Sequence, residues 1–224
     1  MSLHPLKRSD RDKAWNKGRK RKPVLVRPEY QMIISEGTDT EPNYFCELAG
    51  VVNKKYPGRI NVTVIGIGDN TLHLLEKARD KALDSPNTVR HVWVVYDTDD
   101  FPAEHINRTA KLCEQYSDDE TDYHAIWSNQ CIELWFLLHF GYYQSDIHRR
   151  EYWPKLTECL TSIGAGKYTK NRTDMYKILR PYLDVAIANA KRLDATNAGK
   201  LPSASAPGTK VYEIFEHLKQ YMEQ

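Results

Sequence analysis

The sequence lacks the features that mark several protein classes. Its 224 residues include only four cysteines, at positions 46, 113, 131 and 159, with no C-x-x-C pair and no histidines at zinc spacing. We therefore expect neither a disulfide framework nor structural zinc. No apolar run approaches the roughly 18 residues of a membrane span, and the basic, polar N-terminal stretch has no apolar segment typical of a secretory signal. These absences predict a reduced, cytoplasmic protein without a membrane partner.

The small net charge hides a basic N-terminal segment. Lys and Arg total 32 against 30 Asp and Glu, which gives a formal net charge of +2. Residues 1–22 carry nine Lys or Arg and two Asp, so this segment has a charge of +7 and the remainder has −5. Its basic run, which contains Lys20, Arg21 and Lys22, predicts a disordered arm. Such an arm either binds phosphates through counterion release or only keeps the protein soluble.

Three carboxylates follow the most apolar predicted strand. Val92 to Tyr96 are consecutive apolar or aromatic residues rich in β-branching, which predicts a strand buried on both faces. Asp97, Asp99 and Asp100 come directly after it, and the first two point the same way if the strand geometry continues. Ligands bind at the carboxyl ends of strands in open α/β sheets. The run is therefore either a metal site or a solvated acidic turn.

A second acid stands at an equivalent place. The apolar run from Met32 ends in Glu36, and Gly37 permits a tight turn before a predicted helix whose first turn suits Pro42. Carboxylate oxygens at the ends of two strands are the ligands that Mg²⁺ prefers. Further candidates near these strand ends are Glu41, Ser128 and Asn129.

The order of strands and helices predicts an α/β fold. Strands are predicted at 30–35, 60–67, 92–96 and 123–127, with helices at 43–55, 71–83 and 103–115 between them. This alternation favours a parallel four-stranded sheet flanked by helices. Glu133 is the one acid in an apolar helix predicted at 131–140, where it either complements the helix dipole or lies near a metal.

The remaining chain predicts helices and a basic loop. Helices are expected at 148–160, broken by Pro154, and at 173–193 and 209–222, with a linker or flexible loop at 198–208. Lys167, Lys170 and Arg172 surround Tyr168 in a loop that suits phosphate contact and base stacking, or is an ordinary exposed loop. The predicted organisation is a disordered arm at 1–22, a catalytic core at 23–140 and a helical extension packed on it at 141–224.

Three blocks of sequence resemble the RloB family of Toprim-like proteins. They run from Ile33 to Phe45, from Val94 to Phe101 and from Ser128 to Phe140, with Gln130 where the family usually has proline. The K-Y-x-K element that begins at Lys167 is also similar to this family. The resemblance covers most of residues 24 to 223 and implies a Toprim-like fold, an association with bacterial antiphage defence and, from close relatives, nuclease activity.

The resemblance implies a metal-dependent phosphodiester hydrolase. Glu36, Asp97 and Asp99 would be its catalytic acids and, together with Asp100 and Glu133, the ligands of Mg²⁺ or Mn²⁺. Glu36 has a second interpretation as general acid or base, the role that Toprim enzymes give their glutamate. RNA such as tRNA is favoured over DNA by analogy with other defence nucleases.

A non-catalytic function is the alternative. In that case the Toprim-like module binds nucleic acid, a nucleotide or a partner protein, and its acids hold a structural ion. A defence-system partner protein and a homo-oligomeric state are open under either interpretation.

Overall fold

The first part of the fold alternates strands and helices as the sequence predicts. The computed structural model describes residues 28–68, 71–98 and 101–222. The elements are β1 (Glu29–Ser35), α1 (Thr40–Lys55), β2 (Ile60–Gly66), α2 (Thr71–Leu83), β3 (Val89–Asp97), α3 (Ala103–Tyr116) and β4 (Asp122–Asn129). The basic arm, with Lys20, Arg21 and Lys22, and the acids Asp99 and Asp100 lie outside the described residues.

The second part is helical, with bounds that differ from the prediction. It contains α4 (Glu133–Leu138), α5 (Arg149–Ser162), α6 (Met175–Leu179), α7 (Leu183–Thr196), β5 (Gly208–Thr209) and α8 (Val211–Met222). The single helix predicted at 173–193 is wrong, because the chain forms a 3-10 turn at Arg180–Tyr182 around Pro181, which has no N–H to donate. The predicted break at Pro154 is also wrong, since α5 continues through it. Within the described ranges, no helix combines the length and apolar character that a membrane crossing requires.

The sheet contains the predicted parallel strands and one additional short strand. Its order is β2-β1-β3-β4-β5, and the first four strands are parallel, which confirms the predicted α/β class. β5 pairs antiparallel with the end of β4. The segment 198–208, expected as a linker or flexible loop, is a loop with a 3-10 turn at Pro202–Ala204. Its last part packs on the fold, since Ser205 and Gly208 are buried and the side chain of Asn197 donates to the carbonyl of Pro207 at 2.9 Å.

Two hydrophobic cores cover the two faces of the sheet. Successive strand residues point to opposite faces, so Trp93 and Val95 belong to one core while Val92 and Val94 belong to the other. The first core includes buried residues of α1 and of α4 to α8, and the second includes residues of α2 and α3. By the same alternation Asp97 lies on the face of the first core.

The strand order places a crevice at one point of the sheet. β1 lies between β2 and β3, so the chain runs from β1 outward to the edge strand β2 and then crosses back past β1 to β3. In open α/β sheets the carboxyl ends of strands at such a switch point form the ligand-binding crevice. The carboxyl ends of β1 and β3 therefore define the place where a functional site is expected.

Candidate active site

Glu36 lies at this switch point, directly after β1. Its backbone N–H donates to the carbonyl of Val95 at 3.0 Å, and its own carbonyl accepts from the N–H of Gly68 at 2.8 Å. These bonds continue the pairing of β1 beyond its last residue and tie Glu36 to the chain on both sides. The position of this acid therefore follows from the register of the sheet.

Asp97 ends β3 and is tied to the start of α4. Its Oδ1 accepts from the N–H of Ile132 at 3.1 Å. The N–H of the next residue, Thr98, donates to the carbonyls of Ser128 and Gln130, each at 3.1 Å. These bonds connect the ends of β3 and β4, and they bring Asp97 close to the first turn of α4.

Glu133, the first residue of α4, is buried with two side-chain donors on one oxygen. The hydroxyl of Tyr168 donates to its Oε1 at 2.9 Å, and Trp153 Nε1 donates to the same atom at 3.1 Å. Only 2% of the Glu133 surface is exposed, so the carboxylate depends on these partners because a buried charge without them is unfavourable. Tyr168 and Trp153 therefore fix the orientation of Glu133.

Glu41 adds a buried acid beside the turn after β1. It lies in the first turn of α1 and is 6% exposed. Its carboxylate covers Gly37 so closely that a Cβ at position 37 would overlap with it. A larger residue at position 37 would therefore displace the Glu41 carboxylate, while the φ of Gly37 is not in the left-handed region.

These acids line one open cleft of about 430 Å³ at the carboxyl edge of the sheet. The carboxylates that line it belong to Glu36, Asp39, Glu41, Asp97 and Glu133. Lys170 is the one cation among the described lining residues. Its Nζ lies 5.0 Å from the centroid of the Trp153 ring, a cation–π contact that holds the ammonium group at the rim. The cleft is therefore strongly acidic inside with a positive charge at its edge.

The concentration of acids changes their protonation. Burial raises the pKa of Asp97 well above its usual value, and Glu41, Glu133 and Glu36 raise it further, while the bond from Ile132 opposes the rise. Burial also raises the pKa of Glu41; its backbone hydrogen bond lowers it, Glu133 raises it and Lys170 lowers it. Proximity of like charges disfavours ionisation. A bound cation would favour the ionised form of these carboxyl groups.

The donor set fits a hard divalent ion. The described residues that line the cleft include carboxylates but no histidine or cysteine, and oxygen ligands of this kind suit Mg²⁺ or Mn²⁺. No three of the described cleft acids have carboxylate oxygens that all lie within 4.8 Å of one another. This spacing fits Mg²⁺, which usually takes one or two carboxylates and completes its shell with water and substrate phosphate.

Two residues of the predicted basic loop face inward. Tyr168 was expected to stack on bases, but it is 8% exposed and its hydroxyl is bonded to Glu133, so its ring offers no stacking surface. Arg172 binds both carboxylate oxygens of Asp174 at 2.8 Å. It also donates to the carbonyls of Ala165 and Lys167, so it closes its own loop. Lys167 is exposed and does not line the cleft, whereas Lys170 does.

The other sequence candidates lie beside the cleft. Ser128 Oγ is 2.8 Å from Thr209 Oγ1, and Asn129 pairs with Gly208 in the antiparallel ladder. Both are buried and join β4 to β5. The contact of Trp153 with Glu133 was not predicted from the sequence, because no local pattern relates position 153 to position 133.

The comparison with known families identifies the chain. The family described as RloB-like protein matches residues 31–218, and the chain belongs to this family. No curated protein and no solved structure matches the chain. The matched range contains Glu36, Asp97 and Glu133 and every described helix except the last residues of α8.

Proposed function

We propose that this RloB-like protein is a divalent-metal-dependent phosphodiester hydrolase, a nuclease of the Toprim type that acts on RNA such as tRNA in bacterial antiphage defence. The observation that supports the proposal is the convergence of Glu36, Asp97 and Glu133 on one cleft at the switch point of the sheet. Acids from the ends of two neighbouring strands, with a cation at the rim, suit a phosphate that is bound through a metal ion. RNA is proposed ahead of DNA by analogy with other defence nucleases, so the test includes both.

Glu36 and Asp97 are the proposed ligands of Mg²⁺ or Mn²⁺, and Glu133 lines the same cleft without completing a group of three with them. Asp99 and Asp100 stay predictions outside the described residues. When bound, such an ion lowers the pKa of a water molecule and neutralises charge on the phosphodiester. The raised pKa of Asp97 supports this assignment, because a cation offsets the repulsion between its carboxylate and the neighbouring acids.

The other residues of the cleft have distinct proposed tasks. Lys170 supplies an exposed ammonium group for a phosphate oxygen at the rim. Glu41 retains a proton at higher pH than an ordinary glutamate, which suits it to donate that proton to the leaving oxygen. Tyr168 and Trp153 keep Glu133 in one orientation through their bonds to its Oε1.

The experiment is a cleavage assay with the purified full chain. End-labelled tRNA, single-stranded RNA, single-stranded DNA and duplex DNA are incubated with Mg²⁺, Mn²⁺ or EDTA. Glu36→Gln and Asp97→Asn are expected to reduce cleavage at least about 100-fold, equivalent to about 2.7 kcal/mol of transition-state stabilisation. Glu76→Gln removes an exposed acid on α2 and is purified identically as the control. It is expected to retain the full rate, and cleavage that remains in the identically purified Glu36→Gln and Asp97→Asn preparations measures any contaminating nuclease.

Three results would contradict the nuclease proposal. They are cleavage that persists in EDTA, cleavage that survives Asp97→Asn undiminished, and the absence of cleavage of all four substrates with either metal. In the last case, metal-dependent binding of tRNA or DNA that Asp97→Asn abolishes would support the non-catalytic module instead.

A further inference from the structure

A second cluster of ionisable side chains lies at the amino edge of the sheet, opposite the acidic cleft. His91 is the third residue of β3, and Asp122 and His124 are the first and third residues of β4. His91 Nδ1 lies 3.0 Å from His124 Nε2 and 3.5 Å from Asp122 Oδ2. Asp97 lies six positions after His91 on β3, a distance of roughly 20 Å along the strand. The cluster is therefore separate from the proposed nuclease site.

The separations between its atoms match those around one metal ion. Zinc binds imidazole nitrogen at about 2.0–2.1 Å with tetrahedral angles, which places neighbouring ligand atoms about 3.3–3.4 Å apart. The two measured separations of 3.0 and 3.5 Å lie on either side of this value, and the three ligand atoms all lie within 4.8 Å of one another. The parallel register pairs His91 with Asp122 and Trp93 with His124, so the sheet itself sets this arrangement.

Both imidazoles are partly buried and held in position by aromatic neighbours. The ring of His124 stacks on Trp93 with a centroid distance of 4.0 Å and an interplanar angle of 18°, which fixes its orientation.

The neighbouring charged groups are compatible with an ion at this place. His217 Nε2 lies 3.4 Å from Glu29 Oε1, and these two residues form a second possible ligand group with His91. Arg90 lies 3.4 Å from Asp122 Oδ2, but its side chain is 43% exposed, so this ion pair is weak and leaves the carboxylate available.

We propose that His91, Asp122 and His124 bind one divalent transition-metal ion of the zinc type, which links β3 to β4 at the amino edge of the sheet. Two imidazole nitrogens and one carboxylate oxygen suit zinc and related ions and do not suit Mg²⁺. Three protein ligands leave a fourth position for water. The ion stabilises the folded chain because its ligands come together only when the two strands pair.

The experiment measures binding of the metal itself by the full chain. Protein freed of metal with EDTA is dialysed and titrated with Zn²⁺ by calorimetry in several millimolar Mg²⁺, which is added to compete with Zn²⁺ for the acidic cleft. We expect one equivalent of Zn²⁺ to bind and to raise the melting temperature. His124→Gln and Asp122→Asn are expected to weaken binding by at least about 100-fold, because loss of an outer partner alone commonly costs 10- to 100-fold. His217→Gln and Asp97→Asn serve as matched controls and are expected to change the affinity less than threefold.

Each outcome decides the proposal. The absence of Zn²⁺ binding, or binding unchanged in both His124→Gln and Asp122→Asn, would show that the histidines only form an aromatic stack. Binding abolished by His217→Gln alone would place the ion in the group with Glu29 and overturn the proposed ligand set. If His124→Gln does not fold by circular dichroism, Asp122→Asn provides the test, because its carboxylate is only partly buried.

Discussion

The hydroxyl of Tyr168 is expected to stabilise the protein by holding Glu133 in place. Tyr168→Phe removes this hydroxyl and keeps the ring that packs in the core. The lost bond is 2.9 Å long and ends on a carboxylate that is 2% exposed. Hydrogen bonds to charged groups contribute about 1.5–3 kcal/mol. The free energy of unfolding should therefore fall by about this amount, and a loss of this size lowers the melting temperature of a chain of this length by roughly 3–12 °C.

Tyr176→Phe is the matched control for this substitution. Tyr176 is also a buried tyrosine of the same core, but its hydroxyl has no hydrogen-bond partner among the described residues. Removal of an unpaired buried hydroxyl is neutral or stabilising, since no bond is lost and a polar group leaves the core. Urea unfolding of wild type and both variants at pH 7.5 in EDTA measures the difference, with the m-value as the check that unfolding is two-state.

The second donor to Glu133 tests the same reasoning. Trp153→Phe removes the bond from Nε1 to the same oxygen, so each single variant leaves Oε1 with one of these two donors and the double variant leaves it with neither of them. The double variant should therefore lose more stability than the two single losses together, because residues in one network couple by about 0.5–3 kcal/mol. If Tyr168→Phe is no less stable than Tyr176→Phe, or if the single losses add without coupling, these side chains do not hold Glu133.

Three further predictions concern the acidic cleft and the turn beside it. In EDTA, Asp97→Asn should be more stable than wild type at pH 8 and should lose this advantage toward pH 4. The reason is that the pKa of Asp97 is raised in the folded state, which costs about 1.4 kcal/mol of stability per pKa unit at pH values above the pKa of the unfolded chain. Urea unfolding across this pH range measures the difference. Several millimolar Mg²⁺ should raise the melting temperature of wild type more than that of Asp97→Asn, because an ion bound only to the folded state stabilises it; equal shifts would exclude Asp97 as a ligand. Gly66→Ala should destabilise by about 1–3 kcal/mol, since its Cβ would lie 2.7 Å from the carbonyl oxygen of Gly37 and from Pro42 Cγ. Gly50 lies on α1, and a Cβ at this position would have no neighbour within 4 Å, so Gly50→Ala should stabilise the protein by about 0.5–1 kcal/mol. Thermal melts of the two glycine variants beside wild type measure these opposite shifts.

The helix and strand pattern was predictable wherever one local signal was strong. The bounds of α2 agree with the prediction, and those of α3 agree to within one residue, because an apolar periodicity and a clear terminus coincide in each. The split between α6 and α7 was missed although Pro181 marks it, since the helical periodicity continues on both sides. β5 has two residues and no pattern of its own. It forms because the chain after α7 packs against β4.

The site was predictable only as far as it depends on strand ends. Glu36 and Asp97 were found because each follows an apolar run, and parallel neighbours bring such ends together. Lys170 was included for its charge, but its loop was expected to present Tyr168 and Arg172 as well. Both of these side chains instead turn inward, to Glu133 and to Asp174.

The sequence by itself determined which residues form the four parallel strands and which acids follow β1 and end β3. Side-chain periodicity and the apolar runs act between close neighbours in the chain, so they can be read without the fold. Only the tertiary structure decided that Tyr168 and Trp153 meet Glu133, 35 and 20 residues away, and that His91 meets His124, 33 residues away. These contacts depend on the register between strands and on how helices pack over the sheet, and neither leaves a periodic signal in the sequence.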